Sequence, residues 1–120
     1  MSSRFLCTLY AVILMASSCT SERTIRRQYL EALDHQRTGR TLAATELWVE
    51  LIQHNPRIAG PRTNMAIAEF ERGRTAQATR LLKQELRLHD TVFAARYALG
   101  VIQYRSKKLG LAEHTVRLLL

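Results

Sequence analysis

The sequence has few cysteines and no long hydrophobic run, and both shortages limit what the protein can be. Of its two cysteines, Cys7 lies inside an apolar N-terminal stretch and Cys19 follows that stretch. Once the stretch is removed, a single thiol is left, which cannot form an internal disulfide. The stretch from Phe5 to Ala16 would make roughly 18 Å of helix, whereas a bilayer core is about 30 Å thick. These features argue against a disulfide scaffold and against a membrane-spanning helix at this position.

The residue groupings that support catalysis or metal binding are also missing. The four histidines never form a close pair with acidic neighbours, which a metal site would need. No serine lies in a strained, glycine-flanked turn where it could act as a nucleophile. There is no aromatic-rich RNA-binding signature, helix-turn-helix pattern or zinc-ligand spacing. We therefore expect a protein that is not an enzyme, needs no cofactor or metal, and does not bind nucleic acid.

Acidic residues are scarce relative to basic ones, with 18 Lys and Arg against 10 Asp and Glu in 120 residues. A chain of this length has room for one domain. An excess of positive charge is typical of proteins that bind nucleic acid, an anionic membrane surface or an acidic partner. The N-terminus bears on this choice because it has the three parts of a secretory signal: a start carrying Arg4, the apolar run, and small residues.

The segment Ala16-Ser17-Ser18-Cys19 resembles the lipobox of bacterial lipoproteins, in which the cysteine is acylated and becomes the new N-terminus. The resemblance implies a signal peptide over residues 1–18, a lipid on Cys19 and a short tether over residues 19–23. Thr20 rather than Asp follows the cysteine, which in Gram-negative lipoproteins favours the outer membrane. The expected location is the periplasm-facing cell envelope, and export excludes a nucleic-acid partner. The alternative is ordinary cleavage nearby, which would leave a free thiol.

A pattern of small and apolar residues recurs every 34 residues along the rest of the chain. The small residues are Ala32, Ala66 and Gly100 in one series and Ala44, Ala78 and Ala112 in the other. Apolar residues around them follow the i, i+3, i+4, i+7 spacing of helices that are buried on one face. A fixed period of this length predicts a helical repeat array. The repeats would cover about residues 24–57, 58–91 and 92–120.

The period and the small residues resemble the tetratricopeptide repeat (TPR) family, in which a small residue stands where the two helices of a repeat cross. The resemblance implies an all-α fold, a right-handed superhelical array of about three helix-turn-helix repeats. The turn glycine of the family is present at Gly39 and Gly73, but Lys107 holds the third position. The closing proline is Pro56 in the first repeat, and Asp90 replaces it in the second. An unrelated array of helical hairpins with the same spacing is the alternative.

In TPR proteins the first helices of successive repeats line a concave groove that often binds extended peptides or partner helices. Carrying the groove positions over to this chain gives Arg26, Tyr29, Leu33, Gln36, Arg37, Thr63, Asn64, Ile67, Phe70, Glu71, Tyr97, Val101, Tyr104 and Arg105. Tyr and Arg often contribute most of the binding energy at interfaces. For Phe70 the alternative is a packing role between adjacent first helices.

The leading hypothesis is a membrane-anchored adaptor that holds another envelope protein in its groove and supports assembly of a pilus, secretion or outer-membrane complex. Two alternatives stay open. One is a self-assembling structural subunit, because Val116, Leu119 and Leu120 lie where a repeat array has its last stacking face and would be covered by a second copy or a partner. The other is direct binding to anionic envelope surfaces through the arginines.

Overall fold

The computed structural model describes residues 21–120, and every regular element within them is an α-helix. Helix α1 covers residues 21–37. The other helices are α2 (Thr41–His54), α3 (Pro61–Glu71), α4 (Thr75–Leu88), α5 (Phe93–Arg105) and α6 (Leu109–Arg117). The predicted all-α fold is therefore confirmed.

Neighbouring helices pack in chain order. Helix α3 packs against α4 and α5 against α6, and the pairs are joined by contacts of α2 with α3 and of α4 with α5. One core cluster joins α1 to α2 through Ala32, Ala44, Trp48 and Leu51. A second cluster joins α3, α4 and α5 through Ala66, Ala78, Leu81, Leu82, Ala95, Leu99 and Ile102. Helix α5 also contacts α3 directly, which places the first helices of the last two predicted repeats side by side.

The recurring small residues lie at the helix contacts. Ala32, Ala66 and Ala78 are fully buried, and Ala44 and Ala112 are 2% and 6% exposed. In the last pair, a Cβ placed on Gly100 would stand 3.2 Å from Cγ2 of Val116. Larger side chains at such positions force the surrounding structure apart, at a cost of typically 1–3 kcal/mol. The 34-residue pattern therefore reports the places where two helices approach closely.

The three turns inside the helix pairs are alike and lie 34 residues apart. Each has the hydrogen bond of a Schellman motif, from the backbone N–H of Arg40, Arg74 or Lys108 to the carbonyl five residues earlier. The residue before each donor has a positive φ: 78° at Gly39, 79° at Gly73 and 59° at Lys107. Lys107 thus adopts the left-handed conformation that glycine supplies in the first two turns.

The tether to the predicted lipid is shorter than the sequence indicated. Residues 21–23, expected to be part of a non-helical tether over residues 19–23, belong to helix α1. The reason is that no glycine or proline interrupts the chain between residues 21 and 37, so that nothing in its local propensity stops the helix from starting earlier.

Replacing Lys107 with glycine is expected to stabilise the protein. The left-handed conformation costs a residue with a side chain roughly 1–2 kcal/mol, and glycine avoids most of this cost. We expect Lys107→Gly to raise the free energy of unfolding by about 1 kcal/mol, measured by urea denaturation. Lys108→Gly is the matched control because Lys108 has a negative φ of −91°. An equal or larger gain in the control would contradict the prediction.

Candidate partner-binding groove

A groove runs between the adjacent helices α3 and α5, with a volume of about 330 Å³. Six of the residues predicted from the sequence line it: Ile67, Phe70, Glu71, Tyr97, Val101 and Arg105. The α5 members recur every four residues, which places them on one face of that helix. The α3 members lie within one turn of each other for the same reason. The described part of the chain therefore brings together the predicted groove residues of the second and third repeats.

Two small residues and one aromatic residue of the groove region were missed by the sequence reasoning. Ala94 and Ala98 complete the α5 side of the groove, and Ala98 also packs against the larger core cluster. Phe93 stacks on Tyr97 with ring centroids 6.3 Å apart and ring planes 7° from parallel. The stacking restrains Tyr97, which is 57% exposed. The signal for this contact was the i, i+4 spacing of the two aromatic residues on one helix.

Phe70 serves both of the roles considered for it. It is half-buried and packs against the core cluster of α3, α4 and α5. Its ring also lines the groove, with the guanidinium carbon of Arg105 5.8 Å from the ring centroid. Such cation–π contacts are worth about 0.5–1 kcal/mol at exposed sites. The groove thus has an apolar wall with one exposed base, Arg105, and one exposed acid, Glu71, at its edge.

Two predicted groove residues, Tyr29 and Asn64, lie in a partly buried polar cluster instead. The Tyr29 ring packs edge-on against Trp48, with centroids 4.9 Å apart. Its hydroxyl accepts a hydrogen bond of 3.4 Å from Nδ2 of Asn64. Thr63, another predicted groove residue, is 4% exposed. Packing between α1, α2 and α3 therefore accounts for these three side chains.

Glu85 completes this cluster from α4 and is fully buried. Its Oε1 accepts a hydrogen bond of 2.9 Å from the backbone N–H of Gly60. A Cβ on Gly60 would overlap the Tyr29 hydroxyl, so the close approach of the two requires glycine. Burial raises the pKa of the Tyr29 hydroxyl, the Asn64 hydrogen bond opposes this, and the charge of Glu85 adds to the rise. The cluster keeps Tyr29 protonated and holds three helices together.

The remaining predicted residues on α1 do not line the α3–α5 groove. Arg26 and Leu33 are exposed, and Gln36 is half-buried. Arg37 forms an exposed ion pair of 2.8 Å with Asp34, and the hydrogen bond from Arg37 lowers the pKa of that carboxyl group.

Tyr104 also lies outside the α3–α5 groove. Although it belongs to α5, it lines a second cleft, on the α6 side of that helix. Because a helix is a cylinder, the residues of one strip can divide between two neighbouring grooves when the helix has partners on both sides.

Other kinds of site find little support in residues 21–120. No group of three or more His, Cys, Asp or Glu side chains there could hold a metal ion. None of the helices in that range is both long enough and apolar enough to cross a membrane. Cys19 and the predicted signal peptide, residues 1–18, lie outside the described residues. No protein-family model matches this sequence, and a search of curated proteins finds no significant relative.

The environment of Tyr29 predicts how it titrates. Because its pKa in the folded protein is raised above the usual 10.0, its contribution to stability is fully present below about pH 10 and is lost as the pH rises through the folded value. In a titration of absorbance at 295 nm, Tyr29→Phe should remove a component at higher pH than the components removed by Tyr97→Phe or Tyr104→Phe. Loss of a component at the same pH would show that Tyr29 is not shielded.

Proposed function

We propose that this protein is a non-enzymatic adaptor that binds a segment of another protein in the groove between α3 and α5. The groove itself carries the proposal, because it joins an aromatic and aliphatic wall to two charged groups at an exposed surface. Tyr and Arg, which are enriched among residues that dominate binding energy, are both present there. The segment that fits is extended or helical, with apolar side chains for the wall and an acidic group for Arg105.

The proposed architecture is a right-handed superhelical array of about three TPR-like repeats. Three similar turns with a 34-residue spacing support it, as do buried small residues at matching positions of the helix pairs. An adaptor role suits such an array because successive repeats build one continuous surface for a partner.

The proposed location is the bacterial cell envelope, with a lipid on Cys19 holding the array at a membrane and facing the periplasm. The lipobox-like segment and the apolar run before it support this placement. The outer membrane is the favoured destination, and assembly of an envelope complex is the favoured setting. Because α1 starts within a few residues of Cys19, the array would lie close to the lipid surface.

The groove can be tested by photo-crosslinking in the native host. A photoreactive residue at Ala94, which is exposed in the groove, should give a discrete adduct with a foreign protein. The same residue at Arg80, exposed on α4, is the control and should give none. With the identified partner purified, Tyr97→Ala should weaken binding about tenfold and Arg80→Ala should not.

Two results would contradict the groove proposal. One is an adduct of equal yield at Ala94 and Arg80, and the other is unchanged affinity in Tyr97→Ala. Salt separates groove binding from attraction to an anionic surface, because contacts between exposed charges weaken strongly at high ionic strength while apolar contacts persist. Binding that disappears in high salt would favour the surface-binding alternative.

The lipid anchor has its own test. Cys19→Ser should abolish incorporation of labelled palmitate and release the protein from the membrane fraction, because two or more acyl chains are needed for stable anchoring. Cys7→Ser is the matched control, since that cysteine lies within the apolar run and should not affect labelling. If Cys19→Ser stays in the membrane fraction with unchanged processed mass, the lipoprotein assignment is wrong.

A further inference from the structure

The end of the array formed by α5 and α6 has an open apolar cleft of about 510 Å³. Gly100, Val101, Tyr104, Ala112 and Val116 line much of it. Eight of the twelve large hydrophobic side chains that are exposed in residues 21–120 lie between Phe93 and Leu120. Exposed apolar side chains that cluster in this way mark interaction sites more often than single ones do.

The preceding helix pair shows what shape fits this cleft. Ala66, Ala78 and Leu82, which stand 34 residues before Gly100, Ala112 and Val116, are covered by α5 in the larger core cluster. Leu82 is fully buried there, whereas Val116 is 44% exposed. The cleft thus repeats a surface that accommodates a helix one pair earlier. An occupant of the same shape is an α-helix that lies across α5 and α6.

The face that α5 uses on α3 and α4 indicates the sequence of such an occupant. Ala95, Leu99 and Ile102 are buried in the shared cluster, and Ala98 packs against it. These residues have the i, i+3, i+4, i+7 spacing of one helical face, with small residues first and larger ones after them. The occupant is therefore an amphipathic helix with the pattern small-x-x-small-large-x-x-large.

The charges around the cleft favour an acidic occupant. In the first turn of the array Asp34 pairs with Arg37 and Arg40, and in the second turn Glu69 pairs with Arg72 and Arg74. The third turn has Lys107 and Lys108, and no carboxylate in residues 21–120 pairs with either of them.

The whole α5–α6 end shares this imbalance. From Phe93 to Leu120 there are five Lys and Arg residues and one acidic residue, Glu113, which pairs with Arg117. Complementary charge steers association and disfavours wrong partners.

The same charges argue against a second copy of this chain. Two α5–α6 ends placed face to face would bring like charges together, which costs several kcal/mol. In a head-to-tail arrangement α1 would take the place of α5, and its residues at the matching positions are Arg27, Leu30, Glu31 and Asp34. Three of these four are charged, so α1 does not offer the apolar face that the cleft accommodates.

We propose that the α5–α6 cleft binds an acidic amphipathic helix of a partner protein, which packs on this end as α5 packs on α3 and α4. The site is distinct from the α3–α5 groove, although Tyr97, Val101 and Arg105 lie between the two cavities and line both. Val116 lines only the cleft, and Ile67 lines only the groove. Substitutions at these two positions therefore separate the two sites.

The test uses the full chain in nanodiscs of zwitterionic phosphatidylcholine and a fluorescent peptide of about 16 residues, blocked at both ends. Its apolar face reads Ala-x-x-Ala-Leu-x-x-Ile, and its other positions are Glu and Gln. Fluorescence anisotropy should detect binding with micromolar affinity. A peptide with Lys in place of Glu should bind at least about tenfold more weakly. The double variant Lys107→Glu, Lys108→Glu should reverse this preference.

Variants then locate the bound peptide. Val116→Asp, at an already exposed position, should weaken the acidic peptide at least about tenfold, while Ile67→Asp should leave its affinity unchanged. Circular dichroism of each variant confirms that the helices are retained. Failure of the acidic peptide to bind, or equal loss in both variants, would overturn the proposal. A concentration-dependent dimer that Val116→Asp abolishes would overturn it too, because the occupant would then be a second copy.

Discussion

Close approach of two helices at a small residue is the contact on which the other features of this protein depend. Ala32, Ala66 and Ala78 are fully buried, and Gly100 has no room for a methyl group that would not press on Val116. Helices that approach this closely must be joined by a tight turn, which explains the left-handed residue in each of the three turns. The same spacing then sets how successive pairs stack and where grooves open between them.

The sequence predicted the features that follow from this periodicity. The all-α fold and the positions of the three turns could be read from small residues and glycines at fixed intervals. The side of α5 to which each residue belongs could not, because that depends on how far the helix is rotated against two neighbours. Tyr97 and Tyr104 therefore appeared equivalent in the sequence, although one lines the α3–α5 groove and the other lines only the cleft beside α6.

Contacts between residues far apart in the chain were also beyond a local pattern. Tyr29 was assigned to the groove by its position in the repeat, but Asn64 and Trp48 hold it at the junction of the first two pairs. Arg62 and Arg96 repeat another such contact, each donating to the carbonyl oxygen six residues earlier, on Pro56 and Asp90. This shared contact explains how the second repeat closes with an aspartate where the first has proline, since the bond needs only a backbone carbonyl.

Met65 packs against both core clusters and thereby links the first helix pair to the rest of the array. The polar contacts between these parts involve Asn64 and Gly60, so the connection is concentrated in one short segment at the start of α3. A structure joined in this way is stiff within each part and compliant between them, because rotation about the junction disturbs few contacts. The start of α3 is therefore the natural hinge, about which the groove can turn relative to α1 while its own walls keep their spacing.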